Sequence, residues 1–106
     1  MTHDERRLLE TVKAYLKITW DSDDELLTGY IERGKARLNQ IAGTEIDFDS
    51  EGQPRALLLD YVRYANSQKL EDFEKNFEAE LLALYIDTNA ASVALEEEED
   101  ADTSTE

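Results

Sequence analysis

The chain has 106 residues, 26 acidic and 11 basic side chains and a formal charge of −15. That length accommodates about one domain, and the lack of cysteine excludes disulfide frameworks, thiolate metal sites and cysteine nucleophiles together. No apolar run approaches the roughly 20 residues of a membrane span, and Met1 to Arg7 contains no apolar signal core, so a soluble, cytosolic product without membrane partners is expected.

In chain order the spacing predicts an all-α fold, a small bundle of about four amphipathic helices. The first opens with Thr2 and Glu5 at capping-box spacing, places Leu8, Leu9, Val12, Tyr15 and Leu16 on one stripe, and ends near Ile18. A second capping box, Ser22 with Glu25, starts the clearest helix. Its apolar positions, Leu27, Ile31, Gly34, Leu38 and Ile41, alternate steps of four and three, with Leu26 and Tyr30 widening the face and Gly43 as the C-terminal cap. The third helix starts at Pro54, suited to a first helical position, carries Leu57, Leu58, Tyr61, Val62 and Ala65, and ends over Asn66 to Gln68. A fourth repeats the stripe with Leu70, Phe73, Phe77, Leu81 and Leu84, either as a separate helix or as one bent rod with the third. The sole strand candidate, Glu45 to Asp49, would lack a pairing partner.

Residues 1–86 read as the helical domain and 87–106 as an acidic tail. Within the tail, Glu96 to Glu106 holds seven acids and no base, so self-repulsion without apolar burial predicts disorder. The remaining 95 residues still carry −8, so acidity belongs to the folded part as well.

The chemistry-bearing residues are sparse. His3 is the single histidine, so neither a nucleophilic triad nor a zinc site can be completed around it. Calcium loops need oxygen ligands at alternating positions, a turn glycine and a bidentate acid at the twelfth position. The loop beginning Asp21, Asp23, Glu25 has Leu26 in place of the glycine, and the loop beginning Asp47, Asp49, Glu51 reaches Leu58 at position twelve. Both therefore fail, no metal or other cofactor is expected, and no residue is assigned a catalytic role. Gly29 and Gly34 lack the Lys-Ser or Lys-Thr pair of a phosphate loop; each costs about 1 kcal/mol inside a helix, which points to close helix packing or to a subunit contact. Arg6, Arg7, Lys13 and Lys17 form the only basic concentration, too small for duplex affinity built on counterion release.

The segment Leu9 to Leu27, with its junction Ile18, Thr19, Trp20, Asp21, Asp23, Asp24, continues through Tyr30 to Leu38. Together with Leu57 to Tyr64 and Leu70 to Leu84, it resembles the gp6-like head-tail connector, or head-completion, proteins of tailed phages. The resemblance covers about Leu8 to Ile86 and rests on helix order and on that junction; the acidic tail departs from the family pattern. It implies a structural virion subunit at the head-tail junction, assembled in the host cytoplasm and forming a ring under the portal, dodecameric in the virion. Its partners would be itself, the portal protein and a stopper or tail-completion protein, with DNA passing through the channel without specific binding.

Surplus aromatics and an apolar strip before the acid run supply candidate interface residues: Tyr30, Tyr61, Tyr64, Phe73, Phe77, Tyr85, Val93 and Leu95. The strip either orders on docking to the portal or stays part of a solvated tail. The charge leaves a competing class open, an acidic DNA mimic that inhibits a nuclease or another DNA-binding protein.

Overall fold

The capping box at the start of the chain forms as its spacing requires. Thr2 Oγ1 accepts the Glu5 backbone N–H at 3.1 Å, and the Glu5 carboxylate accepts the Thr2 N–H at 3.2 Å, opening α1 (His3–Leu16). The computed structural model describes residues 2–89, which contain helices, turns and loops and no strand. α1 stops at Leu16 because Lys17 adopts the left-handed conformation at φ 61°. Lys17 N–H then reaches Ala14 O at 3.2 Å and Ile18 N–H reaches Lys13 O at 2.8 Å, a Schellman closure that tucks Ile18 into the core.

α2 (Asp24–Ala42) begins two residues later than Ser22, and the expected Ser22 and Glu25 capping box does not form. Asp23 occupies the capping position, but its carboxylate is engaged elsewhere: it accepts the Trp20 indole N–H at 2.8 Å. Gly43 ends the helix as expected, at φ 80° with its N–H on Asn39 O at 2.8 Å. The stretch from Glu45 to Asp49 is a loop rather than a strand. Asn39 Oδ1 accepts the Ile46 N–H at 2.9 Å, Asp47 closes a local turn onto Asp49 N–H and Ser50 Oγ, and Phe48 is buried in the core.

α3 (Gln53–Asn66) takes Pro54 in its first turn. It ends in a second Schellman closure, with Gln68 left-handed at φ 59°, Gln68 N–H on Ala65 O and Lys69 N–H on Tyr64 O at 2.9 Å. That closure separates the third helix from the fourth, so the bent-rod alternative does not hold. The fourth stripe is itself divided. α4 (Leu70–Asn76) gives way at Phe77, at φ −110° and ψ 21°, to α5 over 78–89. The backbone ladder persists through this bend, since Phe77 N–H bonds Phe73 O and Leu81 N–H bonds Phe77 O. The described chain is therefore all-α with five helices, and α5 runs past Ile86, where the sequence placed the start of the tail.

One core gathers Leu8, Leu9 and Val12 of α1, Leu27, Ile31 and Leu38 of α2, Leu57, Leu58 and Val62 of α3, Phe73 of α4, and Leu81 and Leu84 of α5. Its tightest point is Gly34. A Cβ there would stand 2.7 Å from Leu58 Cδ1 and 2.8 Å from Tyr61 Cδ1, so α2 and α3 approach closely only because this residue has no side chain. Gly29, on the same helix, has no such neighbour within 4 Å.

Substituting the two glycines should therefore have opposite signs. G34A overpacks the α2–α3 contact and lowers stability by about 1–3 kcal/mol, whereas G29A raises it by about 1 kcal/mol through helix propensity; denaturant unfolding measures both. Replacing left-handed Gln68 by glycine relieves backbone strain, and a net gain of about 0.5–1 kcal/mol is expected in the same assay.

Candidate assembly surface

Of the basic concentration near the N-terminus, Lys13 is a structural clamp. Lys13 Nζ lies 2.6 Å from Asp21 Oδ1 and 2.7 Å from Asp24 Oδ1, so it joins the last turn of α1 to the entry of α2. Its stem is covered and its ammonium stays near the surface. Asp24 Oδ1, sealed from solvent and lacking a well-aligned hydrogen bond, has that ammonium as its counter-charge. Lys17 serves as the left-handed residue that ends α1. Arg55 donates to Thr11 Oγ1 at 3.0 Å, Tyr15 donates to Asp60 at 2.6 Å, Arg63 pairs with Asp60 at 3.3 Å, and Arg37 binds Glu74. These contacts tie α1 to α3 and α2 to α4.

Asp21 and Asp24 are committed to Lys13, Asp23 to Trp20 and Asp47 to its own turn, where the Ser50 hydroxyl and the Asp49 N–H hold its carboxyl below the usual carboxylate range. No group of three or more metal-ligating side chains occurs among the described residues. No helix among them is long and apolar enough to cross a membrane.

The candidate interface residues separate by burial. Tyr61 and Phe73 are core residues, with ring centroids 5.4 Å apart edge to face. Tyr64 and Phe77 are half-buried and extend that cluster: Tyr64 meets Phe73 at 5.8 Å and Phe77 at 5.6 Å, and Phe73 stacks on Phe77 at 5.1 Å. Tyr30 is half-buried beneath the Arg33 guanidinium, 5.2 Å from the ring centroid. Tyr85 is 49% exposed and borders a shallow groove of about 340 Å³ with Ile41, Glu74, Glu78, Leu81 and Leu82. Val93 and Leu95 lie outside the described residues.

The structure also exposes apolar side chains that the sequence reading left out of the interface. Leu82 and Ile86 are 58% and 53% exposed on α5, and Trp20 and Leu26 are about half exposed around the start of α2. Tyr15, expected on the core stripe of α1, points to the surface and hydrogen-bonds Asp60. Leu82 and Ile86 sit outside the stripe carrying Leu81 and Leu84, a signal that the helical period of 78–89 already contains.

A surface of several apolar side chains amid acids, on a small helical body without a catalytic constellation among its described residues, is suited to assembly. A family model described as phage gp6-like head-tail connector protein matches residues 7–82, more than two thirds of the chain. The chain belongs to that family. No curated protein and no solved structure gives a significant match. As a gp6-like connector it is a structural component of the phage virion rather than an enzyme, with assembly partners on the portal and tail sides. The match begins within α1 and closes inside α5 at Leu82, so it spans the Lys13 clamp and the aromatic cluster.

Titration of the Lys13 clamp has a defined window. Its hydrogen bond with Asp21 and its close contact with the Asp24 carboxylate raise Lys13, while the bond from Lys13 and its charge lower Asp21. A lowered acid contributes stability above its unfolded value and loses it as pH falls through the folded value; a raised lysine contributes below its unfolded value and loses it as pH rises through the folded one. The clamp thus holds between about pH 4 and about pH 10. K13M should lower the thermal midpoint at pH 7, and the gap from the parent should shrink as the pH is taken toward 3; melts at both pH values check it.

Proposed function

We propose that the chain is the repeating subunit of a connector ring seated under the portal vertex, which prolongs the DNA channel and receives the stopper or tail-completion protein. The observation that carries this reading is the family match over residues 7–82. A ring is built from a heterologous contact, one patch meeting a different patch on the neighbour, with a rotation that closes. The described body offers more than one exposed apolar patch, around Trp20 and Leu26 and around Leu82, Tyr85 and Ile86. A copy number of twelve follows if the ring matches the portal. Residues 1–86 act as the connector domain in this reading and 87–106 as an appended acidic segment.

Of the candidate interface residues, Tyr85 presents surface directly, Tyr30, Tyr64 and Phe77 present an edge each, and Tyr61 and Phe73 act from within the core that holds them. Val93 and Leu95 belong to the segment proposed to meet the portal. The charge has a use in the same reading. Carboxylates facing the lumen repel DNA phosphates, so the duplex passes without being gripped, within a range of about 8 Å at physiological salt.

Electron microscopy of the full-length protein with its cognate portal provides the test. Rings attached coaxially to the portal, with carboxylates lining the lumen, are expected. A protein that stays monomeric or dimeric beside that portal, and instead binds a nuclease or repressor tightly, overturns the reading in favour of a DNA mimic.

A further inference from the structure

α2 has an outward face as regular as its buried one. Leu26, Gly29, Arg33, Ala36 and Gln40 recur at alternating steps of three and four, the spacing of a seam against another helix. They lie away from Leu27, Ile31 and Leu38, which face the core. Leu26, Arg33, Ala36 and Gln40 are exposed. The space a Cβ would enter at Gly29 is open. A glycine inside a helix costs about 1 kcal/mol relative to alanine. Gly34 offsets that by admitting α3, but nothing within the described chain accounts for Gly29.

The exposed side of α5 repeats the same spacing with Ala79 and the two large apolar residues Leu82 and Ile86. Large side chains on one helix and a gap at Gly29 and Ala36 on the other are complementary in shape. They are complementary in charge as well. Over 78–89 α5 carries Glu78, Glu80 and Asp87 and no base, whereas Arg33 has no ion-pair partner among the described residues. Glu25 and Glu32 occupy the other edge of the α2 face, so an acidic helix is steered toward the Arg33 edge.

These two faces cannot meet within one chain. α5 is already seated on the core through Leu81 and Leu84, and Asn89 Nδ2 fixes it to Ala42 O at the end of α2, at 3.0 Å. We propose that the outward face of α2 on one subunit receives the Leu82 and Ile86 face of α5 from a second copy of this chain. The contact is head-to-tail, since each copy contributes a different face and keeps one of each free to extend the assembly. It rests on the ring reading above and names the two faces that such a ring joins.

The chain has no cysteine, so the engineered pair supplies the only thiols it contributes to the assay. The full-length double variant G29C/L82C is assembled beside its cognate portal, oxidised and run under non-reducing conditions. A ladder of dimers, trimers and higher species is expected, with each single variant remaining monomeric. Rings in the micrographs without a ladder overturn this contact and leave the ring reading intact. Failure of the unmodified chain to assemble at all overturns both, and a covalent dimer from G29C alone overturns it by showing α2 against α2. The variant L82E/I86E changes only exposed side chains, so it should keep its helical signal and thermal midpoint while losing assembly by about tenfold or more; assembly at the parental level overturns the proposal.

Discussion

The close approach of α2 to α3 at Gly34 governs the arrangement of everything beyond it. With no Cβ at that position, Leu58 and the Tyr61 ring fill the space against the α2 backbone. Tyr61 in turn sets the edge-to-face contact with Phe73, and Phe73 stacks on Phe77, so the order imposed at one glycine reaches α4 and the bend into α5. Interiors packed to crystal-like density pass such constraints along because they have few voids in which a displacement can be absorbed. The loop joining α2 to α3 is held to the same geometry by left-handed Gly43 at one end and buried Phe48 in its middle.

Charge is distributed with a comparable economy. The chain has 11 lysines and arginines against 26 acids. Several of the bases hold helices together: Lys13 joins α1 to α2, Arg55 joins α3 to α1, and Arg37 joins α2 to α4. An exposed ion pair contributes little to stability, and each of these bridges two elements already packed on the common core. Many of the acids among the described residues face solvent, so the surplus of negative charge lies on the surface of the body.

Much of the fold was legible in the sequence because helix-forming information is local. The Thr2 and Glu5 cap, the Gly43 stop, the entry at Pro54 and the core stripes of α2 and α3 all follow from spacing within a few residues. The misjudged points were those at which side-chain pairing or burial overrides the simple spacing rule. Asp23 was drawn to Trp20, and the Ser22 and Glu25 capping box does not close. Lys17 and Gln68 took left-handed conformations that carry no glycine signal, because the buried residue after Lys17 and the turn into α4 after Gln68 fix the path of the chain. Of the interface candidates, Tyr61 and Phe73 could not be distinguished from Tyr85 by residue type, since burial depends on which helix lies opposite.

By itself the sequence determined an all-α chain, its acidity, the absence of cysteine chemistry and the membership expected from helix order. Those properties are sums over residues or patterns repeated every three to four positions, and they survive whatever the helices do in space. Only the tertiary structure decided that the fourth stripe bends at Phe77, that Gly34 is a packing contact while Gly29 is open, and that Leu82 and Ile86 remain outside the core. The physical reason is that a helix can bury only the stripe its neighbours cover, and that choice is made between elements distant in the chain.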